Sequence, residues 1–212
     1  MHFDGFRRYY AADAWTWERM ALTRARPIAG DPGLRAELAG FIAAELRRRR
    51  DPARLVRDVD EMRQRVARHH APEPPFDAKH RPGGLVDCEF MLQYLMLREA
   101  WRSPGVLATS SAEAARRLVA AGALSGPEGA TLAGGLRLWS VLSCLSRLTA
   151  GVADVAGRRL AVLELAGIAD AGVLDGTAAE VRALYDRLVG DPAAAYGCDG
   201  VLSNLVRPGV RE

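Results

Sequence analysis

The chain has 212 residues, of which 49% are hydrophobic and 26% are charged, and its formal net charge is +3. This length and composition allow a sizeable core and argue against disorder. The apolar stretches end before the roughly 18 residues of a membrane span, and the basic residues alternate with acids instead of forming one cationic face. We therefore expect a globular protein with no membrane and no nucleic acid among its partners.

The cysteines and the first ten residues indicate in which cellular compartment the protein is expected. Cys88, Cys144 and Cys198 lie far apart and form no C-x-x-C pair, a pattern typical of reduced thiols and not of a disulfide scaffold or zinc site. Residues 1–10 contain no apolar signal core. A cytoplasmic location is expected, with no metal ligands.

Hydrophobic periodicity predicts three helices in the first third of the chain. The first is predicted over residues 3–26, where apolar residues recur at helical spacing. Asp31-Pro32 and Asp51-Pro52 each supply an N-cap followed by proline, which predicts helices over 32–50 and 53–70.

A segment with four prolines, residues 71–82, is the clearest break in the chain. Within it, residues 76–79 could be extended, as the edge strand of a sheet. The later predicted helices cover residues 85–101, 111–121, 127–149, 155–166 and 177–189, and periodicity is poor from residue 191 onward.

These elements predict a mainly α fold with at most one or two short strands. We expect a helical arm over residues 1–75, a helical bundle over 76–194 and an irregular tail over 195–212.

Two patterns that look like metal sites are better explained by exposed helix surface. Asp58-Val59-Asp60 lies in a helical pattern, where positions two apart diverge, and the adjacent His69 and His70 diverge as well.

The first stretch that could carry chemistry is residues 15–26. Glu18 and Arg24 are too far apart for a pair one helical turn apart, so each needs a tertiary partner. Arg24 and Arg26 follow the helix and could bind phosphate through bidentate guanidinium contacts. The alternative is an amphipathic helix whose arginines reach solvent along an apolar surface.

The second stretch is residues 76–93. Lys79 is the only lysine in the chain and precedes Gly83-Gly84, which permit close backbone approach. Asp87 and Glu89 then open a strongly apolar helix, where free amides can hold an anion. The alternatives are an N-cap role for Asp87 and a buried polar network for Glu89 with Gln93.

Both stretches, in this order, resemble the glutamine synthetase adenylyltransferase family. The first match includes Tyr9-Tyr10, Trp15-Thr16-Trp17-Glu18 and Leu22-Thr23-Arg24-Ala25-Arg26-Pro27. The second includes Phe76-Asp77, Lys79, Gly83-Gly84, Asp87, Glu89-Phe90 and Gln93-Tyr94-Leu95. Val181-Arg182-Ala183 resembles the start of the last family helix, and the resemblance extends to about Ala194. It implies transfer of AMP from ATP, with Mg²⁺, onto and off a tyrosine of glutamine synthetase.

One departure from the family limits what the resemblance implies. The family's metal-binding Gly-Ser-x-x-Asp-x-Asp pattern has no match in this sequence. The resemblance therefore implies the carboxy-terminal part of such an enzyme, with no catalytic residue and no tight ATP or Mg²⁺ binding of its own. Arg24 and Arg26, with Glu18 on the same helix, would line or support the nucleotide site. Lys79, Asp87 and Glu89 would lie at the junction of the catalytic domain and the bundle.

Three functional interpretations remain at this point. The chain is a fragment, a split subunit or a truncated frame that needs an upstream catalytic half. Alternatively, it is a non-catalytic module that docks glutamine synthetase or a PII-type signal protein, or it is an unrelated helical protein. An exposed apolar patch on the first helices would favour the first interpretation, and a well-covered bundle would favour the other two.

Overall fold

A computed structural model describes residues 2–70, 76–149 and 155–197. The helices are α1 Phe3–Ala12, α2 Thr16–Leu22, α3 Pro32–Leu46, α4 Pro52–His69, α5 Leu85–Glu99, α6 Ser111–Ala120, α7 Gly126–Leu148, α8 Val155–Leu165, α9 Gly172–Tyr185 and α10 Asp191–Gly197. A short 3-10 helix spans Pro104–Val106, and a π-helical turn spans Asp186–Gly190. The described ranges contain no strand, so the predicted mainly α fold is confirmed.

The predicted single helix over residues 3–26 is wrong, because the helix is interrupted between α1 and α2. Trp15 adopts an extended conformation, with φ −82° and ψ 163°. The Glu18 carboxylate accepts a hydrogen bond from the Trp15 amide at 2.8 Å. A carboxylate at this position satisfies an amide that has no partner within the helix, so a new helix starts here.

The arm is held together by aromatic packing between α1 and α3. The rings of Phe3, Phe6 and Tyr10 lie 6.0, 5.5 and 6.1 Å from the ring of Phe41, centroid to centroid, mostly edge to face. Helix α3 ends at Leu46, four residues before its predicted end, so the run of arginines from 47 to 50 lies in the loop before α4.

Helix α5 is the centre of the molecule. It packs against α2 and α4 of the arm and against α6, α7 and α9 of the bundle, and ten of its residues are buried. The buried residues of the arm and the bundle belong to one hydrophobic cluster. The boundary near residue 75 stays a prediction, with the two predicted units packed around a shared helix.

The predicted extended segment at residues 76–79 is a turn. The Asp77 carboxylate accepts hydrogen bonds from the amides of Lys79 and His80, both at 2.9 Å. An aspartate that binds amides two and three residues ahead closes the chain on itself and removes these donors from any strand pairing.

The end of the described chain is more helical than its sequence suggests. The helix predicted over 177–189 begins earlier, at Gly172, and α10 follows the π-helical turn as far as Gly197. The rest of the predicted tail, 198–212, lies outside the described residues. Among the described helices, none is both long and apolar enough to cross a membrane.

Candidate functional site at the start of helix α5

Asp87 is a fully buried carboxylate at the start of α5, with 0% of its surface exposed. It accepts hydrogen bonds from Nε of Arg63, on α4, and from the Gly83 amide at 2.6 Å. Nη1 of Arg182, on α9, lies 3.9 Å from its second oxygen. Asp87 is therefore more than the simple N-cap that the sequence offered as an alternative, because its carboxylate joins three helices.

Arg63 is the partner that the sequence reasoning missed. Its side chain is buried and also donates to the carbonyl oxygen of His80 at 3.2 Å. The signal was present in the sequence, since Arg63 follows Val59 by four residues on the apolar face of α4. An arginine on such a face needs a buried anionic partner, and Asp87 supplies it.

A cleft of about 300 Å³ opens beside this network, between α4 and the π-helical turn. It is lined by Asp60, Arg63, Gln64, Ala67, Arg182, Asp186, Gly190 and Ala194. Charged groups in the cleft wall pair with one another: Arg182 binds Asp186 through two nitrogens, with Nε at 3.0 Å. The charges of the cleft wall are therefore largely compensated. These pairs leave no free charge that would select a ligand.

Tyr185, at the end of α9, extends this polar network to Asp60 on α4. Its hydroxyl donates to Oδ1 of Asp60 at 3.2 Å, and Nε2 of Gln64 donates to Oδ2 of the same carboxylate at 2.6 Å. Burial raises the pKa of the Tyr185 phenol, and the nearby Asp60 charge raises it further. The hydroxyl therefore stays protonated and acts as a hydrogen-bond donor across the α4–α9 contact.

Arg24 and Glu89 bring the two predicted stretches together. They form an ion pair between the end of α2 and the first turns of α5. The Arg24 side chain is 50% exposed and that of Glu89 is 26% exposed. The adjacent recess, which includes Gln93, has a volume of only about 10 Å³, about the size of one water molecule. These residues alone do not enclose a nucleotide.

The other predicted residues do not line this recess. Glu18 accepts a hydrogen bond from the Tyr9 hydroxyl at 2.6 Å, which is the main cause of the raised pKa of that phenol. Together with its bond to Trp15, this contact fixes α1 against α2. Arg26 is exposed after α2, and Lys79 is exposed in the turn before α5. The six predicted residues therefore do not form one pocket.

The two apparent metal patterns lie on α4 and its end. Asp58 contacts the Thr16 hydroxyl and, at 3.8 Å, Arg54, whereas Asp60 faces Tyr185. The His70 ring stacks on His80 with centroids 4.1 Å apart. Within the described residues, no group of three histidine, cysteine or carboxylate side chains is placed to hold a metal ion.

Comparison with known proteins shows which family the chain is similar to. A family model described as Glutamate-ammonia ligase adenylyltransferase matches residues 1–40. Several relatives carry the name bifunctional glutamine synthetase adenylyltransferase/adenylyl-removing enzyme. The relative from Bradyrhizobium sp. (strain BTAi1) is 38% identical over 197 residues, 89% of this chain and 20% of the relative. That from Rhodopseudomonas palustris (strain BisB5) is 37% identical over 200 residues, 90% of this chain and 20% of the relative. That from Xanthobacter autotrophicus is 35% identical over 193 residues, 87% of this chain and 20% of the relative.

The chain spans about one fifth of the length of these relatives. The similarity to these relatives extends over 87–90% of this chain, well beyond the 40 residues that the family model matches. The resemblance read from the sequence is thus confirmed: the chain is related to the glutamine synthetase adenylyltransferases and corresponds to a part of them.

Proposed function

We propose that this chain is the carboxy-terminal part of a glutamine synthetase adenylyltransferase and supports transfer of AMP from ATP to glutamine synthetase in nitrogen regulation. The observation that carries the proposal is 35–38% identity to enzymes named for this activity, across nearly nine tenths of the chain. ATP and Mg²⁺ belong to the complete enzyme, which works in the cytoplasm, and glutamine synthetase is its protein substrate.

The surface of the arm supports this proposal. Trp15, Trp17, Ile28 and Leu34 are all substantially exposed, with Ile28 at 80%. All four lie inside the segment that the family model matches. Several large apolar side chains left in water on one short segment are typical of a surface that another domain or protein covers.

The missing metal ligands define what the chain needs from elsewhere. Nucleotidyl transfer depends on positioning and on stabilisation of charge by a metal ion. The family's Gly-Ser-x-x-Asp-x-Asp motif has no match in this sequence. In this proposal an upstream catalytic half supplies that motif, and the present chain supplies the surrounding helices.

The predicted site residues then divide into two groups. Arg24, Arg26 and Lys79 keep exposed cationic ends, and we assign them to the nucleotide or phosphate side of the complete site. Glu18, Asp87 and Glu89 bind other parts of this chain, and we assign them to positioning the helices that carry the cations.

The test is AMP transfer from labelled ATP to glutamine synthetase in the presence of Mg²⁺. The chain is assayed alone and after mixing with a separately expressed upstream half that carries the Asp-x-Asp motif. No transfer by the chain alone and transfer by the mixture is the expected result. Transfer by the chain alone would overturn the argument from the missing aspartates.

Absence of transfer in the mixture would overturn the proposal of a split active site. Direct binding to glutamine synthetase or to a PII-type signal protein would then favour the alternative of a docking module. Either binding is measured with the same purified chain, which separates the two interpretations.

A further inference from the structure

A cationic surface forms where the loop before α4 meets the end of α5. Residues 45–51 and 98–102 together contain six arginines and three carboxylates, whereas the whole chain has 29 basic and 26 acidic residues. We call this region the arginine surface and define it by its exposed members: Arg47, Arg48, Arg49, Trp101 and Arg102. Its excess of positive charge is local and does not follow from the composition of the chain.

The carboxylates of this region lie beneath the arginines. Glu45 is only 5% exposed and pairs with Arg19 at 2.8 Å and with Arg48 at 3.1 Å. Glu99 is only 3% exposed and pairs with Arg98 at 2.7 Å and with Arg102. A buried carboxylate fixes the guanidinium above it but offers little negative charge to solvent. Arg48 and Arg102 are therefore held in place, and six arginines against three carboxylates leave the region with a net positive charge.

The third carboxylate is also occupied within the chain. Asp51 is the N-cap of α4, and its Oδ1 accepts hydrogen bonds from the amides of Ala53 at 2.9 Å and Arg54 at 3.4 Å. Its charge stabilises the positive end of the α4 helix. It therefore offsets the arginine surface less than an unbonded carboxylate would.

Trp101 joins the two segments into one surface. It remains 45% exposed at the end of α5, and the guanidinium carbon of Arg49 lies 5.0 Å from its ring centroid. Tryptophan and arginine are the residue types most enriched among energetically dominant positions of protein interfaces. A large aromatic side chain flanked by fixed cations suits an acidic protein surface.

We propose that the arginine surface docks an acidic face of a folded protein partner, which, if the proposed function holds, is glutamine synthetase. A single-stranded nucleic acid is a poorer fit. Such ligands need aromatic faces that are free for base stacking along a cationic groove, and here Arg49 lies over the exposed ring of Trp101.

The experiment measures binding of the full chain to immobilised glutamine synthetase at 50, 150 and 300 mM salt. The test variant is Arg47→Glu with Arg49→Glu. The matched control is Arg137→Glu with Arg147→Glu, which makes the same charge change at exposed positions of α7. Trp101→Ala is a third variant that leaves the charge unchanged. Circular dichroism and melting temperature check that each variant is folded.

We expect the test variant and Trp101→Ala each to weaken binding at least about tenfold at 150 mM salt, with the control within about twofold. Binding of the wild-type chain should weaken with rising salt. Equal binding by the wild-type chain and the test variant would overturn the inference. A wild-type chain that does not bind glutamine synthetase would overturn it as well.

Two further arms separate the possible failures. Binding of a single-stranded RNA oligonucleotide that is lost in the test variant, without binding to glutamine synthetase, would replace the inference with a nucleic-acid interface. AMP transfer by the mixture of chain and upstream half is measured in parallel at saturating glutamine synthetase. Transfer by the wild-type mixture, together with equal glutamine synthetase binding by the wild-type chain and the test variant, overturns this inference alone. Absence of transfer in the wild-type mixture overturns the proposed function.

Discussion

Asp87 and Arg24 lie close to the same helix start, yet they differ in almost every physical respect. Asp87 is fully buried and binds two other helices and a backbone amide. Arg24 is half exposed and has one partner, the partly exposed Glu89. The sequence resemblance implied a place at the nucleotide site for Arg24 and a place at the junction of the catalytic domain and the bundle for Asp87. In the structure Asp87 holds helices together, whereas Arg24 remains a half-exposed cation in an ion pair at the surface.

The largest expected effect concerns the buried member of this comparison. Asp87→Asn leaves the Arg63 cation buried without its anionic partner, and we expect a loss of about 3–5 kcal/mol in the free energy of unfolding. Glu89→Gln is the control on the same helix and should cost less than about 1 kcal/mol, because its ion pair is partly solvated. Urea unfolding at pH 7 measures both. Similar losses for the two variants would refute the distinction.

The next effect concerns the glycine that lets the turn reach α9. Gly83 has φ +75°, and a Cβ there would lie 1.9 Å from the carbonyl oxygen of Ala178. Gly122 has a similar φ of +71° but nothing within 4 Å of a Cβ. We expect Gly83→Ala to cost about 2–4 kcal/mol from strain plus overpacking, and Gly122→Ala about 1 kcal/mol from strain alone.

Urea unfolding of the two glycine variants isolates the close approach. The conformational cost is shared by both positions, so the difference between them reports the contact with Ala178. If the two variants were equally stable, the turn before α5 would not be packed against α9 as described, and the rigid junction around Asp87 would lose its support.

A smaller effect tests the Tyr185 hydroxyl, which binds Asp60 on α4. Tyr185→Phe removes the hydrogen bond to Asp60 and should cost about 1 kcal/mol at pH 7. Because the folded state raises the pKa of this phenol, its contribution is present below the ordinary tyrosine pKa of about 10 and is lost as the pH rises further.

The raised pKa of Tyr185 in the folded state determines how the stability of the wild-type chain and of this variant should depend on pH. Between pH 9 and 11 the wild-type chain should lose stability more steeply than Tyr185→Phe, whose ring cannot ionise in the unfolded state. Tyr9 and Tyr10 also have raised pKa values. Tyr185→Phe should therefore still lose some stability over this pH range, but less than the wild-type chain. Parallel declines in the two proteins, measured by urea unfolding at several pH values, would contradict the raised pKa.

The helical class and most helix positions were predictable, because caps, prolines and apolar spacing are local signals. The break at Trp15 was not, because it depends on a side chain reaching back to the amide that begins α2. The turn at residues 76–79 was missed for the same reason, since Asp77 closes it through side-chain hydrogen bonds.

The candidate site was less predictable than the fold. The sequence indicated that Asp87 and Glu89 begin a buried helix, but their partners lie 24 and 65 residues away in the chain. Such pairings depend on how α2 and α4 cross α5, which no local pattern encodes. The sequence reasoning named Arg24 and Glu89 separately and did not pair them, and it named Arg63 not at all.

Lys79, which is exposed in the turn before α5 and binds no group named in that comparison, gives the most direct test of the account. The measurement is AMP transfer to glutamine synthetase by Lys79→Ala, mixed with the upstream half, together with the melting temperature of the variant. Lys79 is exposed and precedes the close-packed Gly83-Gly84 turn. We predict transfer lowered about tenfold, equivalent to about 1.4 kcal/mol, with an unchanged melting temperature. Unchanged transfer with a lowered melting temperature would contradict the account and leave Lys79 a structural role.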